Sequence, residues 1–151
     1  MPQLSTWGPP VWKLFHVLID KIKEESFKNI YLSLFNHIKR ICSLLPCPEC
    51  AKHATHFLST VKIEHISNKN DFKNMLYYFH NKVNLRKRKS IFPQSELNKY
   101  KNYLLIPTYN NFISVYNTKG NLNMLTESFQ RQIILSDFKK WIITNINHFH
   151  H

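Results

Sequence analysis

Apolar residues recur at the spacing of an α-helix through about the first ninety residues of the chain. Four such stretches are separated by polar loops or by proline, and they begin with residue types that are common at helix N-termini. The predicted helices cover about 9–24, 26–43, 48–60 and 71–87, with Ser26 and Asp71 as candidate caps. Antiparallel helices joined by short loops form a four-helix bundle, so the pattern predicts a mainly all-α protein.

The pattern changes beyond about residue 90. The stretch "SELNKYKNY" favours a short additional helix, and "LLIPTYNNFISVYNTKGNLNML" has strand-like segments around a turn at Lys119-Gly120. A last amphipathic helix is predicted in "LSDFKKWIITNINHF". We therefore expect residues 1–103 to form the bundle. Residues 104–151 are expected to form a C-terminal extension of mixed strand and helix character, packed on the bundle or on a partner.

Composition narrows the classes of protein that are compatible with this pattern. A chain of 151 residues with 43% hydrophobic residues can bury an ordinary core. Only 2 glycines are present, which excludes Walker and dinucleotide loops because these need glycine for close backbone approach. The formal net charge of +12 favours anionic partners or a phosphate-bearing ligand. The basic residues are spread along the chain, so binding to nucleic acid is not favoured.

Cysteine usage and hydropathy indicate the cellular setting. Three cysteines, an odd number, argue against a secreted disulfide scaffold and favour a reducing, intracellular environment. No basic start followed by an apolar run marks a signal peptide, and no stretch approaches about 18 apolar residues. We expect neither secretion nor a membrane span.

The stretch "LLPCPECAKHATHFL" carries the clearest chemistry. Its possible zinc ligands are Cys47, Cys50, His53 and His56. Successive ligands three residues apart sweep about half the circumference of one helix and cannot converge on a tetrahedral ion, so no metal site is expected. A cysteine pair at a helix N-terminus instead favours thiol–disulfide chemistry, because the helix dipole stabilises the thiolate. A purely structural bridge is the alternative, and the helical surroundings do not match the βαβ context of thioredoxins.

Three segments in order, "WGPPVWKLFH", "LPCPEC" and "HNKVNLRKRK", resemble the Erv/ALR family of FAD-linked sulfhydryl oxidases. The resemblance spans about residues 7–92, and "LPCPECAKHAT" is most similar to the branch that large cytoplasmic DNA viruses encode. It implies a four-helix bundle around a non-covalent FAD, usually as a homodimer. It also implies a viral enzyme of the host cytoplasm, with the virion as a second location.

The resemblance further implies the route of the electrons. Cys47 is the interchange thiol that receives electrons from a dithiol protein substrate, for which a thioredoxin-like viral relay protein is a candidate. Cys50 occupies the flavin-proximal position, where its thiolate attacks the isoalloxazine ring. Two electrons then reach molecular oxygen and give hydrogen peroxide. The rate of each exchange depends on the nucleophilicity of the attacking thiolate and on the pKa of the leaving thiol.

The residues that match the family's FAD-binding pattern supply flat rings, hydrogen-bonding groups and cations. Aromatic rings can cover the flavin or adenine, amides can bind the ribose or ring edges, and cations can contact the pyrophosphate. The expected FAD-binding residues are Trp7, Gly8, Trp12, His16, His80, Asn81, Val83, Asn84, Arg86 and Lys89.

The chain also departs from the family pattern. Leu45 stands where the family has an aromatic residue, and Arg88 stands where it has glycine. A later family tryptophan has no clear counterpart, and Tyr100 or Tyr103 is its candidate replacement. Cys42 cannot complete a second pair, so we expect a buried thiol. The alternative function is a catalytically inactive structural or virion-associated interaction protein that retains the bundle.

Overall fold

A computed structural model describes residues 3–117 and 122–151 of the chain. Its α-helices are α1 Leu4–Lys21, α2 Phe27–Ser43, α3 Pro48–Ser59, α4 Lys69–Arg86, α5 Leu105–Tyr116 and α6 Leu122–Asn145. Short 3-10 helices cover Glu24–Ser26, Ile63–His65, Gln94–Asn102 and Ile146–His148. The described residues form no β-strand, and the predicted all-α class is confirmed.

The first four helices form the predicted bundle, in which α1 packs against α4 and α2 packs against α3. Helix α1 begins at Leu4, earlier than predicted, and contains both Pro9 and Pro10. Proline removes backbone donors from a helix and normally disfavours this placement. The turn before the prolines nevertheless buries Trp7, which is 3% exposed, and this burial favours the longer helix.

The N-terminus of α4 has a different cap from the predicted one. Asn68 is the N-cap, and its side-chain oxygen accepts a hydrogen bond from the Asp71 N–H at 2.8 Å. The Asp71 carboxylate in turn accepts from the Ser67 N–H at 3.0 Å. Asn68 therefore caps the helix. Asp71 lies in the first turn, and its side chain binds the residue that precedes the cap.

The strand-like segments expected in the C-terminal extension are helical instead. Aromatic and branched residues in "LLIPTYNNFISVY" favour a strand by propensity, but Leu105, Thr108, Phe112 and Tyr116 lie on one buried face of α5. Packing of this face decides the structure, because propensity is a weak preference that tertiary contacts override. The predicted turn at Lys119-Gly120 lies outside the described residues.

Helices α5 and α6 pack on the bundle. Helix α5 contacts α1, and α6 contacts α2. Phe112, Phe138 and Phe149 are fully buried in the same apolar cluster as the core of the first four helices. Whether residues 1–103 form a separate folding unit stays a prediction. Within the described ranges, no helix combines the length and the apolar character needed to cross a membrane.

Candidate active site

Cys47 and Cys50 form a disulfide at the start of α3, with their Cα atoms 5.2 Å apart. Cys47 is the N-cap residue, and its sulfur accepts a hydrogen bond from the Cys50 N–H at 3.2 Å. Cys47 is half-buried, whereas Cys50 is 7% exposed. Cys47 is therefore the more exposed residue of the pair, and Cys50 is buried in the bundle.

The local sequence explains why this pair lies at a helix start. Helix α2 ends at Ser43, and the Cys47 N–H donates to the Leu45 carbonyl at 2.7 Å, which turns the chain. Pro48 then occupies the first helical position, where a missing N–H costs nothing and the fixed φ favours the helix. The two cysteines consequently flank the first turn of α3.

Cys50 lines a narrow cavity of about 40 Å³ inside the bundle. Its walls are mainly apolar and include Trp7, Phe15 and Phe79. The indole Nε1 of Trp7 is buried and has no hydrogen-bond partner in the part of the chain that the structure describes. Since buried donors are almost always paired, this atom indicates an acceptor on a bound group.

Cys42 lines the same narrow cavity and is a buried free thiol, as predicted. Burial raises the pKa of the Cys42 thiol above its usual range. A thiol that stays protonated is a poor nucleophile. Cys42 therefore contributes surface to this cavity rather than exchange chemistry.

A wider cavity of about 320 Å³ lies between α1 and α4. His80, Val83, Asn84 and Lys87 face it from one side of α4, at helical spacings of three and four residues. The residues that line both cavities are Leu4, Gly8, Trp12, Val83 and Lys87. The two spaces therefore adjoin, and together they extend from Cys50 toward the C-terminal end of α4.

The wide cavity is cationic. Lys13, Lys87 and Lys89 line it, and none of its lining residues is acidic. The Lys13 ammonium lies 3.7 Å from the centre of the Tyr103 ring, a cation–π contact. Tyr100 also lines this cavity, so both tyrosines that could replace the family tryptophan lie at the site. This end favours an anionic group beside aromatic rings.

The position of Lys89 follows from the way α4 ends. The Lys89 N–H donates to the Asn84 carbonyl at 2.8 Å, and the Arg88 N–H donates to the Leu85 carbonyl at 3.1 Å. These two bonds form a Schellman motif. Arg88 has a φ of 56°, the left-handed conformation that this motif requires. The glycine that the family has at this position is the residue that adopts it most readily.

A buried histidine pair supports the wall of the wide cavity. His16 Nε2 and His80 Nδ1 lie 3.0 Å apart and share a hydrogen bond. His80 stacks on Trp12 at 4.1 Å between ring centres, and His16 stacks on Tyr100 at 4.5 Å. Burial, with a smaller effect of His80, lowers the pKa of His16 to about 3. Burial, followed by the charge of Lys89, lowers the pKa of His80 to about 4, so both rings are neutral near pH 7.

Most of the residues predicted to bind FAD line one or both cavities. They are Trp7, Gly8, Trp12, His80, Val83, Asn84, Arg86 and Lys89. His16 and Asn81 do not line either space. The Asn81 side chain accepts from the Phe92 N–H at 2.7 Å and donates to the Phe92 carbonyl at 3.0 Å, so it holds the segment that follows Lys89. The roles of all these residues toward FAD stay predictions.

Sequence reasoning missed Lys13 and Lys87. Lys87 lies four residues after Val83 and three after Asn84, so helical spacing could have placed it on the same face. Lys13 follows Trp12 directly, and its contribution depends on Tyr103, which lies far along the chain. Only the packing of Gln94–Asn102 and the residues after it against α1 reveals this contact.

The site has no arrangement that is typical of metal binding. Across residues 3–117 and 122–151, no group of three or more His, Cys, Asp or Glu side chains could hold a metal ion. The two adjoining cavities instead have mainly apolar walls with aromatic rings near Cys50 and lysines at the other end. This lining is typical of a site for an organic ligand that carries an anionic group.

Comparison with known proteins finds similarity to one protein family and to two viral proteins. The Erv1 / Alr family model matches residues 9–103. A protein of Invertebrate iridescent virus 6, provisionally named FAD-linked sulfhydryl oxidase 347L, is 28% identical over 95 residues, which cover 59% of this chain and 86% of the viral protein. A Fowlpox virus protein, provisionally named FAD-linked sulfhydryl oxidase FPV093, is 33% identical over 73 residues, 48% of this chain and 68% of its own. No solved structure matches the chain.

Proposed function

Because this chain belongs to the Erv1 / Alr family, we propose that it is an FAD-dependent sulfhydryl oxidase that forms disulfide bonds in protein substrates. The observation that carries the proposal is the Cys47–Cys50 disulfide. Cys47, the more exposed residue of the pair, is the one that a substrate would reach, and Cys50 lines the cavity that adjoins the lysines.

The residues around the two cavities are chemically suited to FAD. Trp7 and Trp12 offer apolar ring surfaces near Cys50, and the unpartnered Trp7 Nε1 offers a donor. Lys87 and Lys89 would bind the pyrophosphate by charge-assisted hydrogen bonds. Gly8 lines both cavities, and a Cβ there would lie 3.2 Å from the side chain of Leu4, which also lines both. When bound, FAD supplies the acceptance of two electrons from a dithiol and their transfer to oxygen, with hydrogen peroxide as product.

The chain's own part of the reaction is thiol–disulfide exchange. A substrate thiolate attacks the Cys47 sulfur, a mixed disulfide forms, and Cys50 leaves as a thiolate. The second substrate thiol then attacks the substrate sulfur of the mixed disulfide and releases Cys47. The products are a substrate disulfide and the reduced Cys47–Cys50 dithiol, which holds the two electrons. The N–H of Cys50, which faces the Cys47 sulfur at 3.2 Å, favours the Cys47 thiolate as a leaving group.

Absorption spectroscopy of the purified protein tests this function. We expect a visible flavin band that bleaches when dithiothreitol is added without air and returns with oxygen. Cys50→Ser should keep the band but lose the bleaching, because the flavin-proximal sulfur is missing. Thr55→Ala, an exposed change on the same helix, is the matched control and should bleach like the wild type.

A colourless protein that does not acquire the flavin band after refolding with FAD would refute the proposal. It would favour the alternative of an inactive structural or virion-associated protein. Bleaching of the Cys50→Ser variant at the wild-type rate would refute the role of Cys50 while leaving FAD binding intact.

The proposal extends to the cellular location, the protein partner and the oligomeric state of the enzyme. We propose a viral enzyme that acts in the host cytoplasm on dithiol proteins, among them a thioredoxin-like relay protein, and that assembles as a homodimer. The viral relatives support the first point. Light scattering of the purified protein tests the dimer, and a mixed disulfide trapped with Cys50→Ser identifies the dithiol partner.

A further inference from the structure

A buried arginine of the C-terminal extension contacts the segment that leads to the cysteine pair. Arg131 lies on α6, is 1% exposed, and donates from Nε to the Leu44 carbonyl at 2.6 Å. A second nitrogen of the guanidinium lies 3.1 Å from the Glu127 carboxylate. The guanidinium also lies 5.9 Å from the centre of the Tyr116 ring, whose hydroxyl donates to the Ile41 carbonyl at 2.8 Å.

Simple packing does not explain a guanidinium at this position. A buried charge lowers the stability of the folded state unless it is paired and hydrogen-bonded, and an apolar side chain of similar size is often as good or better. The Leu44 carbonyl lies at the C-cap of α2, where no further helical N–H follows to satisfy it. Arg131 supplies the donor for the Leu44 carbonyl, and Tyr116 adds a second donor to the Ile41 carbonyl, which also accepts from the Leu44 N–H at 3.3 Å.

The anchored carbonyl lies three residues before Cys47. From Leu44 onward, backbone hydrogen bonds fix the chain as far as the cysteines. The Leu45 carbonyl accepts from the Cys47 N–H at 2.7 Å, and the Cys47 carbonyl accepts from the Ala51 N–H at 2.9 Å. The bond from Arg131 thus ties this turn to α6 at its N-terminal end, in addition to the Leu44 N–H bond to the Ile41 carbonyl and the burial of Leu45 in the core.

We propose that Arg131, supported by Tyr116, is a positioning residue for the redox pair. It fixes residues 44–47 so that the Cys47 sulfur stays within bonding reach of Cys50 in the dithiol as well as in the disulfide. A preorganised dithiol has a high effective concentration of one thiol for the other, which favours the disulfide. This inference rests on the proposed function only in taking Cys47–Cys50 as the exchanging pair.

Equilibration of the 151-residue chain with glutathione tests the inference without FAD or oxygen. In this reaction the Cys47–Cys50 disulfide and two glutathione thiols give the protein dithiol and one glutathione disulfide. The reduced fraction is measured by mass after alkylation in denaturant. We expect Arg131→Gln to be about tenfold easier to reduce than the wild type, which corresponds to about 30 mV.

Two variants separate positioning from general stability. Arg131→Lys keeps a donor for the Leu44 carbonyl and should recover most of the shift. Asp137→Asn breaks the 2.9 Å ion pair that joins α6 to Arg40 of α2, and it touches no carbonyl of residues 44–47. It should therefore leave the equilibrium constant unchanged. A merely structural role of Arg131 would lower the melting temperature and leave the constant unchanged in all three variants.

An equilibrium constant within twofold of the wild type in a folded Arg131→Gln protein overturns the inference. If that variant does not fold, Tyr116→Phe decides. It deletes one hydroxyl and should give a smaller shift in the same direction, and an unchanged constant overturns the inference. A wild-type pair that does not exchange with glutathione at all would instead refute the proposed function. The two failures are therefore distinguishable.

Discussion

Three ammonium groups surround one cavity whose lining residues include no carboxylate. An unneutralised cluster of this kind favours an anionic ligand, because binding relieves the repulsion between the cations. Among the three, Lys89 has an N–H that closes the Schellman motif at the end of α4, which fixes its backbone position. Its charge also contributes to the lowered pKa of His80.

Substitution of Lys89 by methionine should therefore weaken FAD binding. A charge-assisted hydrogen bond contributes about 1.5–3 kcal/mol, so we expect the dissociation constant to rise about tenfold or more. Quenching of FAD fluorescence during titration measures this constant. Lys52→Met, on the exposed face of α3, is the charge-matched control and should bind FAD like the wild type. Equal affinity of the two variants would contradict the assignment of Lys89.

The buried pair of His16 and His80 predicts a pH dependence of stability. Burial lowers the pKa of His16 to about 3 and, together with Lys89, that of His80 to about 4. An unfolded histidine has a pKa of about 6.5, so between these values the unfolded state binds more protons than the folded state. The free energy of unfolding is therefore highest above about pH 6.5 and falls as the pH drops toward about 4 and then 3.

Urea unfolding at about pH 7.5 and about pH 5 measures this effect, for which we expect a loss of about 2 kcal/mol per histidine. His16→Asn should reduce the difference by about half, because one of the two titrating groups is removed. His53→Asn changes an exposed histidine of α3 and should keep the full difference. Parallel pH profiles of the wild type and His16→Asn would contradict the prediction.

At the scale of elements, the end of α4 combines a favourable hydrogen-bond pattern with an unfavourable residue. Arg88 has a φ of 56°, which costs a side-chain-bearing residue about 1–2 kcal/mol. Glycine has no such cost but gains freedom in the unfolded chain, worth about 0.4–1 kcal/mol. We therefore expect Arg88→Gly to raise the free energy of unfolding by about 0.5–1 kcal/mol.

Thermal unfolding without added FAD measures this gain. Lys87→Gly is the neighbouring control: Lys87 has a φ of −84°, so glycine removes no strain there and should destabilise the helix end. A melting temperature of Arg88→Gly below that of the wild type would show that the arginine side chain makes a compensating contact.

The elements and the site were predictable to different degrees. The four bundle helices follow from apolar spacing, and the cysteine pair and most of the FAD-binding candidates follow from the three motifs. The predicted strand character of the α5 segment was wrong, because local propensity contributes less free energy than the burial of Phe112 and Tyr116 against the bundle. The contacts of Lys13 with Tyr103 and of Arg131 with Leu44 join distant parts of the chain, and local patterns contain no signal for such pairs.

At the scale of the whole molecule, the family match ends before α5 and α6, which continue the same folded structure. The matched region covers residues 9–103, yet α5 and α6 contribute Phe112, Tyr116 and Phe138 to one continuous core. Each of these three side chains is fully buried. Burial of a large apolar side chain contributes about 1.5–3 kcal/mol, whereas a whole domain is stable by only about 5–15 kcal/mol. The extension therefore supplies a large share of the net stability.

A chain truncated after residue 103 should for this reason lose cooperative folding, because its α1 and α2 faces would lie open to water. Circular dichroism during heating measures the transition. Two variants of the 151-residue chain calibrate the result. Phe138→Ala removes a buried ring and should cost about 3–5 kcal/mol, whereas Phe129→Ala changes an exposed ring and should cost less than about 0.5 kcal/mol. A truncated chain that melts within a few degrees of the 151-residue chain would mean that residues 1–103 fold as an independent unit and that the extension is an addition to a complete bundle.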